Sequence, residues 1–257
     1  MLSQQEVLRR ICEIARNKVN EKLSKVLIKS FMGGLYIAIG ASLATICSLG
    51  VVDRLGIGIK QLIAGSVFPI GLIAIVLTGV ELFTGDCMLL PVAALSKRIK
   101  WREVFKLWSL VYIGNFIGSI FWAFLISNSM GGEFLNYAIQ IGEQKVFSYV
   151  GLEGFWKAFL KGVGCNLLVN LAILLSVFST EFAGKIIGIW FPIMAFVALG
   201  FEHSVANMYF IPVAIFTGSH ISWFEFLFYN LFPVTFGNIL GGFVFIGLVY
   251  WYLYSKD

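Results

Sequence analysis

Two glutamates sit where an apolar chain should not have them. Glu81 lies in residues 61–96, where the only other charged residue is Asp86, and Glu202 lies in 186–217, beside His203. A carboxylate in the middle of a membrane helix costs about 2.5–3.5 kcal/mol on insertion scales. The chain must therefore gain something from it, either a braced backbone or a proton relay, and bracing is the reading favoured here: a carboxylate can accept the N–H groups that a broken helix leaves open. Thr84 follows the first acid, with Gly85 offering backbone freedom. His203, Ser204 and Asn207 surround the second. Asn166 and Asn170 stand one helical turn apart and can present amides either to a polar path or to a neighbouring helix. Ser204 beside His203 is the only nucleophile–base pairing in sight, and adjacent residues on a chain rarely face each other. With two histidines in the chain, and Cys12, Cys47, Cys87 and Cys165 unpaired in spacing, metal and disulfide chemistry are not expected. The cysteines read as small apolar packing residues.

The elements that must position these groups follow from composition. Of 257 residues, 59% are hydrophobic and 13% charged, with a mean hydropathy of +0.88. A soluble domain needs roughly 25% charged residues, so the chain reads as an all-α integral membrane protein. Residues 30–52, 107–132, 162–180 and 226–255 carry no Asp, Glu, Lys or Arg, and each can cross a bilayer core of about 30 Å. The stretches 61–96 and 186–217 would be helices of roughly 54 and 48 Å. They are too long for one straight crossing, and the pieces beyond each acid are too short for a second. One crossing each, interrupted near mid-membrane by a non-helical loop over 79–86 and 200–207, resolves the length; such a loop is tolerated where it is buried in protein or lines a cavity. That predicts six transmembrane helices with the second and fifth broken.

The +5 net charge is distributed by topology. The N-terminal segment, the 97–106 loop, Lys185 and the tail Lys256 hold 14 of the 19 basic residues on one side; Arg54, Lys60, Lys145, Lys157 and Lys161 hold the other. Positive-inside then puts both termini in the cytoplasm of a cell (inner) membrane, and the basic cluster at 97–102 needs no nucleic acid to explain it. Residues 1–28 are no signal peptide. Leu8, Ile11, Ala15, Val19, Leu23 and Val26 recur at helical spacing, as in an amphipathic helix lying on the membrane or capping a pore mouth, or in a solvated helix packed on its neighbours. The rest, 29–253, divides into repeats of about 29–130 and 155–253. Gly79-Val80-Glu81 pairs with Gly200-Phe201-Glu202, and Gly114-Asn115-Phe116-Ile117-Gly118-Ser119 with Gly237-Asn238-Ile239-Leu240-Gly241-Gly242, at Glu-to-Asn separations of 34 and 36 residues. Three spans per half force opposite orientations, the inverted-repeat plan with a site at the midplane. The paired glycines would let helices approach closely.

These residues carry a resemblance. Val76-Leu77-Thr78-Gly79-Val80-Glu81-Leu82-Phe83-Thr84-Gly85, Gly162-Val163-Gly164-Cys165-Asn166-Leu167-Leu168-Val169 and Gly200-Phe201-Glu202-His203-Ser204-Val205-Ala206-Asn207-Met208 resemble the signatures of the formate/nitrite transporter family. The resemblance implies an aquaporin-like 3+3 inverted repeat, a homo-pentamer with one pore per protomer, and passage of small monovalent anions or their conjugate weak acids (formate, nitrite or hydrosulfide), with protons as partners, no cofactor and no catalysis. By position it marks Thr84 and His203 as central pore residues, Leu82, its neighbour Phe83 and Phe196 as constriction, and Asn166, Asn207 and Asn238 as polar groups along the path. The family's lysine ahead of span four falls, without gaps, on Val150; Lys157, Lys145 and Lys161 flank it, and Lys157 is expected to replace it because it starts the helix carrying Asn166. Val80 and Asn170 also depart from the signatures.

Desolvating a bare anion at an apolar ring costs many kcal/mol. Two routes satisfy that constraint: donors throughout, or protonation in the vestibule and crossing as the neutral acid. His203 is expected to serve as hydrogen-bond donor or proton shuttle rather than as a standing cation. The alternative on the same fold is a channel for a neutral or cationic solute such as ammonia/ammonium. An aquaglyceroporin would need Asn-Pro-Ala loops, and the chain has no Asn-Pro.

Overall fold

The computed structural model describes residues 2–255; Lys256, counted above for orientation, lies outside them. Every regular element among them is helical: α1 (Gln4–Val19), α2 (Leu23–Ser48), α3 (Val51–Val67), α4 (Ile70–Thr78), α5 (Phe83–Leu95), α6 (Trp101–Ser129), α7 (Gly132–Phe147), α8 (Gly151–Phe178), α9 (Phe182–Ala198), α10 (Ser204–Phe216) and α11 (Trp223–Tyr254). Helix α11 contains π-helical stretches at Phe226–Leu231 and Gly241–Leu248. Five stretches are long and apolar enough to cross a membrane: α2, Arg54–Thr78, α6, α8 and α11. The remaining crossing is made by α9 and α10 together, and α5 completes the one begun at Arg54.

The membrane helices start upstream of the charge-free windows, at Leu23, Trp101 and Gly151 rather than 30, 107 and 162. Lys, Arg and Glu are good helix formers, so helix continues past the apolar stretch into charged ends. Helix α1 accordingly stops at Asn20 and does not extend over 1–28. A capping box starts it: Ser3 Oγ accepts the Glu6 N–H at 3.3 Å, and the Glu6 carboxylate accepts the Ser3 N–H at 2.8 Å. Its apolar stripe, Val7, Leu8, Ile11, Cys12 and Ala15, is buried against α5, α8 and the end of α11. It is thus packed on protein. Lys145 lies in the last turn of α7, whose buried Phe134, Ala138, Gly142 and Val146 recur every fourth residue. Cys12, Cys87 and Cys165 are buried; Cys47 is exposed, contrary to the packing role expected of it.

The two breaks fall where the glutamates place them and are shorter than 79–86 and 200–207. Helix α4 ends at Gly79 (φ +69°) and α9 ends just before Gly200 (φ +67°), both left-handed. A Schellman pair closes α9: Phe201 N–H to Phe196 C=O at 3.0 Å and Gly200 N–H to Val197 C=O at 3.0 Å. Helix resumes at Phe83 and Ser204, so Thr84, Gly85 and Asp86 occupy the first turn of α5, and Ser204 through Asn207 that of α10. Gly85 is helical; a Cβ there would come within 2.6 Å of Ile173 Cδ1, so it serves close packing.

The halves match in their hydrogen bonds as well as in sequence. Asn115 Oδ1 accepts the Phe83 N–H at 2.9 Å, and its Nδ2 donates to Ser30 C=O (2.6 Å) and Glu81 C=O (2.9 Å). Asn238 Oδ1 accepts the Ser204 N–H at 2.9 Å, and its Nδ2 donates to Gly162 C=O (2.8 Å) and Glu202 C=O (3.0 Å). A Cβ at Gly118 would overlap the Phe31 carbonyl, and one at Gly241 the Val163 carbonyl. The glycine rows therefore do set the close α2–α6 and α8–α11 contacts.

Candidate functional site

The starts of α5 and α10 meet in the middle of the molecule. Thr84 Oγ1 and His203 Nε2 are 3.0 Å apart, across 119 residues of chain, and both side chains are buried. His203 is the N-cap of α10: its Nδ1 accepts the Ala206 N–H at 3.1 Å. An Nδ1 that accepts is unprotonated, which assigns the ring proton to Nε2 and makes His203 the donor to Thr84. Asn115 and Asn238 take the first N–H of each helix, and His203 takes a third. The amides of Thr84, Gly85 and Val205 keep no partner among the described residues. Two helix starts facing each other, each with open N–H groups, form a centre of positive potential without a charged side chain.

Apolar residues bracket this centre. Leu82 is the residue before α5 and lines a cavity on the α1 side; Phe196 stacks at 5.9 Å on the His203 ring and lines a cavity on the α7 side. Phe83 does not share the line. Its ring packs edge-on to Tyr112 and Trp108 of α6, at 4.8 and 6.1 Å.

The α7-side cavity, about 300 Å³, is lined by four lysines (Lys60, Lys145, Lys157, Lys161) against one glutamate, Glu202. Lys145 Nζ donates to Glu202 Oε2 at 2.8 Å, the Tyr149 hydroxyl donates to Oε1 at 2.8 Å, and Asn207 Nδ2 donates to Oε2 at 2.8 Å. Burial, then the Glu202 carboxylate, pushes the Tyr149 phenol up, so it stays a donor. Of the three candidate lysines, Lys145 makes this ion pair, while Lys157 and Lys161 line the cavity with no ion pair among the described residues; Val150 is exposed.

The α1-side cavity, about 400 Å³, is lined by two lysines, Lys18 and Lys29, against Glu21, Glu81 and Asp86. Lys18 Nζ bonds the Glu81 carboxylate and lies 2.7 Å from Asp86 Oδ1. Burial works to discharge Lys18, but Asp86 and Glu81 together hold its ammonium above the usual lysine range. Both break glutamates therefore pair with a lysine from a helix outside the crossing they interrupt. The loop N–H groups that they were expected to brace go to Asn115, Asn238 and the carbonyls of Lys29 and Lys161 instead.

Asn166 and Asn170 do not face open space. Both amides donate to the Thr84 carbonyl, at 3.1 and 3.0 Å, and Asn166 also reaches Asn238 C=O at 2.5 Å. Gly242, in a π-helical turn of α11, makes room for them: a Cβ there would lie 2.6 Å from Asn170 Nδ2. Lys18, Asp86 and Asn115 were missed as site residues. The repeat itself could have found Asn115, as the partner of Asn238. No group of three or more His, Cys, Asp or Glu able to hold a metal occurs among the described residues.

The arrangement, then, is two polar cavities separated by an apolar, donor-bearing centre. Residues 5–252 match the family model described as "Formate/nitrite transporter". A curated relative, the "Probable formate transporter" of Methanothermobacter thermautotrophicus, is 42% identical over 95% of this chain and 94% of its own. Two solved structures share the fold: an "FNT family ion channel" (TM-score 0.82, 29% identity, 98% of both chains) and a "Pentameric formate channel with formate bound" (TM-score 0.78, 31% identity, 91% of this chain and 98% of that one).

Proposed function

The chain belongs to the formate/nitrite transporter family, a membrane transporter and not an enzyme, and from that premise we propose that it carries formate or an anion of its class across a cell membrane, with the substrate crossing the centre as the neutral weak acid. The observation that supports this most is the Thr84–His203 pair between Leu82 and Phe196. With Nδ1 committed to the Ala206 N–H, the imidazole is a neutral donor. A bare anion passing two apolar residues would meet only neutral donors there, whereas an acid that has taken a proton in a vestibule meets matched hydrogen-bond partners at little desolvation cost. Lys157 and Lys161 gather the anion beforehand.

The basic residues favour cytoplasmic termini, which makes the α1 cavity the cytoplasmic vestibule and the α7 cavity the outer one. Exposed aromatic side chains such as Phe121, Phe124, Phe228 and Phe236 suit lipid and neighbouring copies. The pentameric relative supports a homo-pentamer with one pore in each protomer.

Reconstituted in liposomes, the protein is expected to move formate with one proton each, read by isotope uptake and an internal pH dye, and to move ammonium and lactate far more slowly. Formate flux without acidification would overturn the neutral-acid route; ammonium flux in its place would overturn the substrate class. The variant Lys157→Met/Lys161→Met leaves the Lys145–Glu202 pair intact. Two charges at about 1 kcal/mol or less each in water-like surroundings should make uptake severalfold slower at low ionic strength. The difference should fade at about 1 M salt, where screening acts within roughly 3 Å.

A further inference from the structure

We propose that Asp86 is a proton-exchange group for the permeating acid at the cytoplasmic vestibule, protonating the anion before it crosses Leu82 outward and accepting the proton of acid arriving inward. This rests on the neutral-acid reading above. Asp86 is fully buried from solvent yet lines the cavity that Leu82 closes. It stands in the first turn of α5, its N–H bonded to the Leu82 carbonyl at 3.0 Å. Oδ1 accepts from Lys18; Oδ2 has no partner among the described residues. That oxygen is where a proton can reside and be exchanged.

The charges around it favour one. Lys18 is shared by Glu81 and Asp86, and one ammonium balances one carboxylate. Two buried carboxylates on a single cation leave one negative charge uncompensated, which a proton on the unpartnered Asp86 Oδ2 would cancel. The other groups facing the cavity leave this balance alone. Lys29 Nζ and the Glu21 carboxylate neutralise each other at 2.8 Å, α8 contributes Ile173, Ser176 and Val177, and Trp108 of α6 bonds only the Asp86 carbonyl, at 3.0 Å.

For outward passage the Asp86 O–H bond breaks and an O–H bond forms on the substrate carboxylate. Asp86 is left as a carboxylate beside the Lys18 ammonium, and a cytoplasmic proton restores it. Inward passage is the reverse. At neutral pH free protons are scarce, so a carboxylic acid held at the mouth is the better donor.

Asp86→Asn keeps an acceptor for Lys18 and removes the exchangeable proton. In liposomes with internal pH recorded from pH 5 to 8, its formate efflux should fall on the order of a hundredfold at pH 8. It should converge on the parent at pH 5, where bulk protons suffice, and Asp86→Glu should restore the parent profile. Parent-like efflux across the whole range, or a loss by the same factor at every pH, would overturn the proposal alone. A parent protein moving formate without protons would overturn the neutral-acid reading and this proposal together. Lys18→Met is the second variant should the Asn protein not assemble. Without the ammonium the carboxyl holds its proton to higher pH, so the fall of efflux should move upward in pH, and an unmoved profile would count against Asp86.

Discussion

Formate flux should be lost, by on the order of a hundredfold or more, when His203 is replaced by Phe. The imidazole has two duties, and they can be separated. Nδ1 caps α10 through the Ala206 N–H, and Nε2 donates to Thr84. Phenylalanine preserves the ring stacked on Phe196 but deletes both. A polar solute at a dry centre then lacks a donor, at a cost of about 2–4 kcal/mol, and each 1.4 kcal/mol is tenfold in rate. His203→Asn tells the duties apart, since Asn is among the best helix N-caps but too short to hold Thr84. Assembly of both variants is read by elution in detergent and flux by stopped flow. The Asn protein should assemble like the parent and conduct little; parent-like flux in either variant would remove His203 from the path.

A second large effect concerns folding rather than flux. Asn238→Leu should reduce stability by on the order of 2–5 kcal/mol, because it orphans the Ser204 N–H and the Glu202 carbonyl at about 1–3 kcal/mol per unmet buried group, and it removes a second bond from the Gly162 carbonyl, which keeps its partner within α8. Water cannot substitute there, since the groups lie at membrane depth. Whole domains are stable by about 5–15 kcal/mol, so most of the protein should be lost on extraction. Asn115→Leu, its counterpart in the first half, should behave alike. Thermal unfolding in detergent measures both. A melting temperature within a few degrees of the parent for either would show that the break is held by something else.

Much of this was legible in the sequence because a membrane exacts local compensation. A span too long to cross once, with an acid and a glycine in its middle, had to break, and the break lies between Gly79 and Phe83. His203 and Thr84 were legible through the repeat, which put them at corresponding depths. What the glutamates hold was not. Lys18 is 63 residues from Glu81 and Lys145 is 57 from Glu202, and no spacing rule connects a helix outside the span to a carboxylate inside it. The breaks looked longer because Thr84 and Asn207 are polar, yet polar residues sit comfortably in a helix's first turn when asparagines elsewhere cap it. Helix α7 carries its four-residue spacing in the sequence too, but Glu133, Glu143 and Lys145 keep it outside the charge-free windows from which the spans were read.

The unequal charge of the two vestibules bears on how such a pore meets its surroundings. Equilibrium allows no conduit a preferred direction, but each mouth can have its own loading curve. Four lysines against one glutamate make the α7 mouth fill at low bulk anion concentration, whereas two lysines against three acids make the α1 mouth fill only when anion is plentiful. The ratio of maximal rates must compensate, so the side that saturates early also runs slower at saturation. One face is thus suited to scavenging and the other to discharge, with no moving part and no energy source.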